Sequence, residues 1–399
     1  MLWQKSASRL SARSGWLLFM LPASSPGQIA TDGTLGPAGA LPGPDYLIDA
    51  AIGQQVGPNL FHSFSEFNVN TGESATFTSA FSGATANVIG RVTGANASGI
   101  DGLLRSDIPG AAVWLVNPNG VLFGANAALD VPGAFHATTA DVLVLGDGGR
   151  FAATDVDDTV LTVADPAAFG FLDASIAPIS VDGAELQVEA GAAVSLVGGP
   201  IALNGASVNV PQGTLSLQSA AGPGELGLDG DAPRGGAVRE LGSITLSSGA
   251  LATSGGSSGD VYIRGGELVM ERGARIEALT TGAGANAGIG DVVVEAVDVR
   301  ISGGSQVRTG TSGSADGGRI VLDAANSVVI EGIEAGGDGR GAGGGGNGGG
   351  ADGGGNGDGG TGSGSTGRGI DLTGSSLSLS FVKVLPRSTK TAFSHAAIS

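Results

Sequence analysis

The sequence predicts an all-β solenoid of short stacked coils. Three observations predict it. Glycine supplies 75 of 399 residues, against 5% aromatic and 14% charged residues. That mixture suits short strands with tight corners and suits long helices poorly. Five apolar triplets, at 186–188, 194–196, 201–203, 208–210 and 215–217, start 8, 7, 7 and 7 residues apart. A longer repeat, Gly259-Asp260-Val261, Gly290-Asp291-Val292 and Gly318-Arg319-Ile320, recurs after 31 and 28 residues. Each triplet reads apolar, small or polar, apolar, so one strand face is buried. Regular triplets between glycine or Pro-Gln-Gly corners are the signature of coils that share a core by stacking. A sandwich would show longer strands at wider spacing.

In chain order, residues 1–27 read as an export signal. Lys5, Arg9 and Arg13 form a basic front, and Trp16-Leu17-Leu18-Phe19-Met20-Leu21 is a short apolar core. Ala23, Ser24, Ser25 and Gly27 are the small residues a signal peptidase tolerates. The apolar run is too short to cross a bilayer as a helix. From Gln28 the chain alternates turn chemistry with strands. Residues 59–69, 75–78 and 87–94 carry strand patterns.

The stretch 111–124 is a corner between two strands. Val113-Trp114-Leu115-Val116 and Val121-Leu122-Phe123 are apolar throughout, which predicts burial on both faces, as in parallel stacks. Between them Pro118 presets φ, Asn119 tolerates the left-handed region and Gly120 lacks a Cβ. Beyond the repeats, glycine makes up more than half of residues 336–369 and no large apolar side chain sits there. This segment reads as a flexible linker or loop. Strand-like alternation returns at Leu372 and at Leu377-Ser378-Leu379-Ser380-Phe381. A basic tail with Lys383, Arg387 and Lys390 follows and reads as a truncated end.

Composition narrows the function. The net charge of −18 opposes binding to nucleic acid. The absence of cysteine excludes disulfides, thiol catalysis and thiolate metal sites. It suits a chain that must pass a pore unfolded. His62, His136 and His395 lie far apart without companion motifs. Asp155, Asp157 and Asp158 read as a solvated loop, since no Gly-bracketed cation loop follows. Gly255-Gly256-Ser257-Ser258-Gly259 matches a nucleophile elbow only in form, and Gly339-Arg340-Gly341-Ala342-Gly343-Gly344 a dinucleotide loop only in form. No cofactor, catalytic residue or metal ligand is expected.

Several motifs then run in one order. They are Leu60-Phe61-His62-Ser63-Phe64, Asn87-Val88-Ile89-Gly90-Arg91-Val92-Thr93-Gly94, Ile100-Asp101-Gly102, Asn117-Pro118-Asn119-Gly120-Val121-Leu122-Phe123-Gly124 and Ala134-Phe135-His136-Ala137-Thr138-Thr139-Ala140. Asp165-Pro166-Ala167-Ala168-Phe169-Gly170-Phe171-Leu172 and Val194-Ser195-Leu196-Val197-Gly198-Gly199 continue them. Residues 28–250 thereby resemble the N-terminal secretion (haemagglutination activity) domain of filamentous-haemagglutinin-type exoproteins, the two-partner secretion family of Gram-negative bacteria. Any one motif is weak, but the ordered set is specific.

The resemblance implies a right-handed parallel β-helix with short capping strands near the N-terminus. It implies a secreted or cell-surface protein whose first domain is read by an outer-membrane transporter, a barrel with periplasmic docking domains. It makes Asn117, Pro118, Asn119 and Gly120 the secretion motif, and Phe61, His62, Phe64 and Arg91 a transporter-recognition neighbourhood. The family's second signature, Asn-Pro-Asn-Leu, has no match here. That places the chain with the subgroup carrying Phe61-His62-Ser63-Phe64. The mature protein is expected to be a non-enzymatic adhesin that meets glycans or proteins on host or neighbouring cells. The alternatives are a polysaccharide-acting enzyme on the same scaffold, or a structural surface protein. The expected units are a signal peptide over 1–27, the secretion domain over 28–250 and β-helix coils over 251–335. A glycine-rich linker over 336–369 and a short strand with an irregular tail over 370–399 complete them.

Overall fold

The computed structural model describes residues 28–80, 84–229, 232–236, 238, 240–282, 288–312, 317–331 and 382–384. The expected leader, the glycine-rich segment and the strand at 377–381 lie outside the described residues. Every regular element among those described is a strand or a single 3-10 turn. No described helix is long and apolar enough to cross a membrane.

The strands stack as a parallel β-helix with three faces. On the first face Asn59–Phe67, Asn87–Val92, Ala112–Val116, Phe135–Thr138, Ala193–Gly198 and Thr214–Ser219 pair in parallel, each on the last. Val261–Glu271, Val292–Ile301 and Ile320–Ile330 continue it. The register aligns one unbroken apolar column: Leu60, Val88, Val113, Phe135, Val194, Leu215, Val261, Val292 and Ile320. Each such aliphatic or aromatic side chain contributes about 1.5–3 kcal/mol on burial. The second face starts with Ser98–Ile100 and Val121–Phe123, and the third with Asp45–Asp49 and Ser74–Thr78.

The triplets stack as read, but burial of one face alone fails at 194–196 and 215–217, where the middle residues Ser195 and Ser216 are also fully buried. Leu196 pairs with Leu217 and Leu186 with Val208, so three successive triplets make one turn of the coil. The longer repeat holds too, since Val261 stacks on Val292 and Val292 on Ile320. Its glycines have a steric cause. A Cβ at Gly259, Gly290 or Gly318 would lie under 3.0 Å from the carbonyl oxygen of Gly213, Gly259 or Gly290 respectively. The corner brings successive backbones too close for any side chain.

The capping strands are present as well. Ile29–Thr31 and Gln54–Val56 run antiparallel to Asn59–Phe67, and Gly39–Ala40 pairs antiparallel with Ile29–Thr31. At the other end Val382–Val384 pairs in parallel with Leu322–Ala324.

One feature escapes the sequence pattern. Val142–Leu145, Arg150–Ala152, Pro166–Phe171, Gly224–Asp229 and Ala232–Gly236 form a separate antiparallel sheet. It covers the outer side of the first face. Leu143, Phe151, Phe169 and Leu226 pack there against Phe61, Ile89, Trp114 and Val116. This cover buries 112–116 on both sides, with Val113 and Leu115 inside the coil and Trp114 outside it. The expectation of two-sided burial fails for the second run. Leu122 is 42% exposed, because the cover does not reach the second face.

Candidate functional site

Asn117-Pro118-Asn119-Gly120 turns the chain from the first face to the second. Gly120 N–H donates to Asn117 O at 3.1 Å and closes the turn. Asn117 is fully buried, so its amide must find partners inside the protein. Its Nδ2 donates to Asn96 O at 3.0 Å and to Ser98 Oγ at 2.9 Å. Its Oδ1 accepts from Asn119 N–H at 2.9 Å, an Asx turn. Asn119 Nδ2 donates to Gly94 O at 2.7 Å, while the residue itself stays exposed. The backbone reaches the next coil too, since Asn117 N–H donates to Thr138 O at 2.9 Å and Val121 N–H to Pro178 O at 3.2 Å. Gly120 has φ +119°, a conformation that L side chains rarely adopt. The motif is thus a staple between three coils, with little beyond Pro118 and Asn119 at the surface.

The second group of sequence candidates sits directly beneath. Val116, the residue before the turn, stacks on Arg91 in the ladder. Arg91 is 1% exposed. Its Nε donates to Ser63 Oγ at 2.8 Å and its Nη2 to Thr34 Oγ1 at 3.0 Å. Its Nη1 donates to Ala152 O and, at 2.6 Å, to Thr159 Oγ1. The guanidinium lies 4.5 Å from the Phe151 ring centroid. Asp32 accepts from Ser63 Oγ at 2.6 Å and Thr93 Oγ1 at 2.8 Å. Burial pushes the Arg91 pKa down to about 10, and Asp32 acts against that shift. Arg91 therefore joins the N-terminal cap, the coil and the outer cover.

Phe61, His62 and Phe64 split by strand alternation. Phe61 points outward and meets Phe151 edge-on at 5.0 Å. Phe64 points into the coil and meets Phe67 at 5.0 Å. His62 is fully buried, 5.6 Å from Phe77, with neither ring nitrogen hydrogen-bonded. Burial lowers its pKa to about 4, against a smaller opposing effect of Asp49. None of Phe61, His62, Phe64 or Arg91 reaches the surface of the folded domain.

A polar chain that the sequence reading missed runs alongside. Asn59 Nδ2 donates to Ala164 O at 2.8 Å, Asn87 Nδ2 to Asn59 Oδ1 at 2.9 Å, and Trp114 Nε1 to Asn87 Oδ1 at 3.1 Å. Trp114 stacks on His136 at 3.7 Å, and His136 Nδ1 meets Ser195 Oγ at 2.6 Å. The one available signal is that Asn59 and Asn87 both open a strand on the same face. Burial lowers the His136 pKa to about 3.

The two histidines set a pH dependence. Their folded values lie below the unfolded value of about 6.5. Between these limits the unfolded chain binds protons that the folded chain excludes. Their contribution is therefore complete above pH 6.5 and falls as pH drops towards 4, by at most about 1.4 kcal/mol per histidine per pH unit. Asp141, raised by burial, acts in the opposite direction. Urea midpoints at pH 7.5, 5.5 and 4.5 should decrease in that order, and a flat series contradicts the assignment.

No cluster of three or more His, Cys, Asp or Glu is placed to hold a metal among the described residues. Asp155, Asp157 and Asp158 flank or form an exposed 3-10 turn, Val156–Asp158. Residues 28–263 match the model of the TPS secretion domain family. The chain belongs to that family. The TPS secretion domain marks an exoprotein of two-partner secretion, exported across the outer membrane with a TPS transporter as partner. A solved structure, the HMW1 secretion domain from Haemophilus influenzae, is similar at 15% identity and TM-score 0.49, covering 76% of this chain and 85% of that one. Comparison with curated proteins gives no match. The family match contains both groups of candidate residues, the staple at 117–120 and the buried set around Arg91.

Proposed function

We propose that the transporter reads this TPS domain before it folds, and that the Asn117-Pro118-Asn119-Gly120 turn then locks the coils outside the cell. One observation carries the reading: Phe61, His62, Phe64 and Arg91 are at most 1% exposed once the domain is folded. A periplasmic docking domain could touch them only on an unfolded or partly folded chain. An extended segment can add to a strand edge of such a domain. On the far side the coils stack with largely nearest-neighbour contacts, and the free energy of stacking opposes backsliding. Residues 1–27 act as the export signal and 28–250 as the address. The coils over 251–335, the glycine-rich linker over 336–369 and the tail form the remainder. The mature protein serves as a surface adhesin for glycans or proteins of other cells.

The test is coexpression with the cognate transporter, comparing protein in the medium with total synthesis. Asn117→Ala removes the buried amide, costs roughly 1–3 kcal/mol of stability and should lower secretion without lowering synthesis. Asn119→Ala loses the bond to Gly94 O and a longer one of 3.3 Å to Asn117 Oδ1, with a stability effect of about 1 kcal/mol, and should also lower secretion. Normal secretion of both variants rejects the role of the turn. Binding of the purified protein to cell-surface glycans tests adhesion, and an inert protein rejects it.

A further inference from the structure

The third face of the helix is interrupted, while the other two run through. Its strands shorten towards the break. Asp45–Asp49 and Ser74–Thr78 have 5 residues, Leu103–Ser106 has 4 and Ala128–Asp130 has 3. After it, Glu185–Gln187, Ser207–Asn209 and Ala250–Ala252 have 3 each, and Arg275–Thr280 recovers 6. On either side of the break the ladders are regular. Ala128–Asp130 and Glu185–Gln187 come within 8 Å of each other, yet no backbone ladder joins them. A gap of about 240 Å³ lies between them, lined by Leu129, Asp130, Val131, Gln187, Val188 and Glu189. At Glu189 it meets a larger cleft of about 690 Å³.

The same junction is closed elsewhere. Phe135–Thr138 pairs with Ala193–Gly198 on the first face and Val121–Phe123 with Ile179–Asp182 on the second. The outer sheet holds Trp114 and Val197 in one cluster across it. At the corner before the seam, Gly183 packs against Ala125, leaving 3.3 Å between the position of a Cβ and that of Ala125. A junction unladdered on one face and clamped on the opposite one has the geometry of a hinge.

We propose that the stack consists of two cooperative blocks, residues 28–138 and 179–331, which open along this third-face seam. In a solenoid, cooperativity is carried by the interface between neighbouring coils. The interface here lacks one of its three ladders, so it is the weakest link in the stack. The excursion at 139–178 leaves the coil at the same point, and its length separates completion of the first block from the start of the second. The inference does not depend on the transporter reading.

Native-state hydrogen exchange on the full chain, in urea below the midpoint, tests it. Amides of Glu185–Gln187 should be at least about tenfold less protected than those of Ser207–Asn209, and the two blocks should follow separate isotherms. A second measurement removes the ambiguity of a simple strand edge. The chain has no cysteine, so two nitroxides can be placed cleanly. The pair Asp130→Cys with Gln187→Cys spans the seam, and Gln187→Cys with Asn209→Cys spans an intact ladder. Dipolar broadening across the seam should be lost at a urea concentration that leaves the ladder pair unchanged. A single isotherm with coincident loss of both signals overturns the proposal.

Discussion

Arg91→Ala is expected to lower the stability of the domain by about 3 kcal/mol or more. The guanidinium satisfies oxygens from Thr34, Ser63, Ala152 and Thr159, which belong to the cap, the coil and the cover. Removing it leaves the acceptors on Ser63 and Ala152, both at most 2% exposed, where water scarcely reaches, while those on Thr34 and Thr159 lie nearer solvent. The packing of the guanidinium over Phe151 is lost as well. Arg91→Lys should recover only part of the loss, because a point ammonium cannot span a planar fork of donors. Urea unfolding followed by far-ultraviolet circular dichroism reads the effect. A loss under about 1 kcal/mol would show that the three elements hold together without the arginine.

Gly290→Ala should be equally severe for a different reason. Its Cβ would fall under 3.0 Å from Gly259 O, and that oxygen belongs to backbone in the coil beneath. Neither partner can rotate away, so the two coils must separate at that corner. The expected cost is about 3 kcal/mol or more, at or beyond the upper range of overpacked cores. Gly256→Ala is the matched control, because no atom lies within 4 Å of its added Cβ and its φ is ordinary. It should leave the urea midpoint unchanged. Equal effects of the two substitutions would mean that backbone contact does not fix the corner.

Stacking and the corner were legible early because both are local. A period of 7 residues in the triplets and a repeating Gly-Asp-Val are visible in one dimension. Each maps onto the ladder with the register the spacing implies. The turn at 117–120 was legible from the φ preferences of proline, asparagine and glycine. The same patterns say nothing of what lies outside the coil. Val121-Leu122-Phe123 reads as apolar as Val113-Trp114-Leu115-Val116, yet only the latter is covered.

The sequence by itself therefore determined the solenoid, its short stacked strands, the repeating corner glycines and the motif order of a TPS domain. All of these follow from residue spacing and backbone preference, which act over a few positions. Only the tertiary structure decided the outer antiparallel sheet, the burial of Phe61, His62, Phe64 and Arg91, and the seam at 128–130. Those depend on meetings between residues far apart in the chain, such as Arg91 with Thr159 or Asn59 with Ala164. No local periodicity encodes which distant oxygen a buried donor will find.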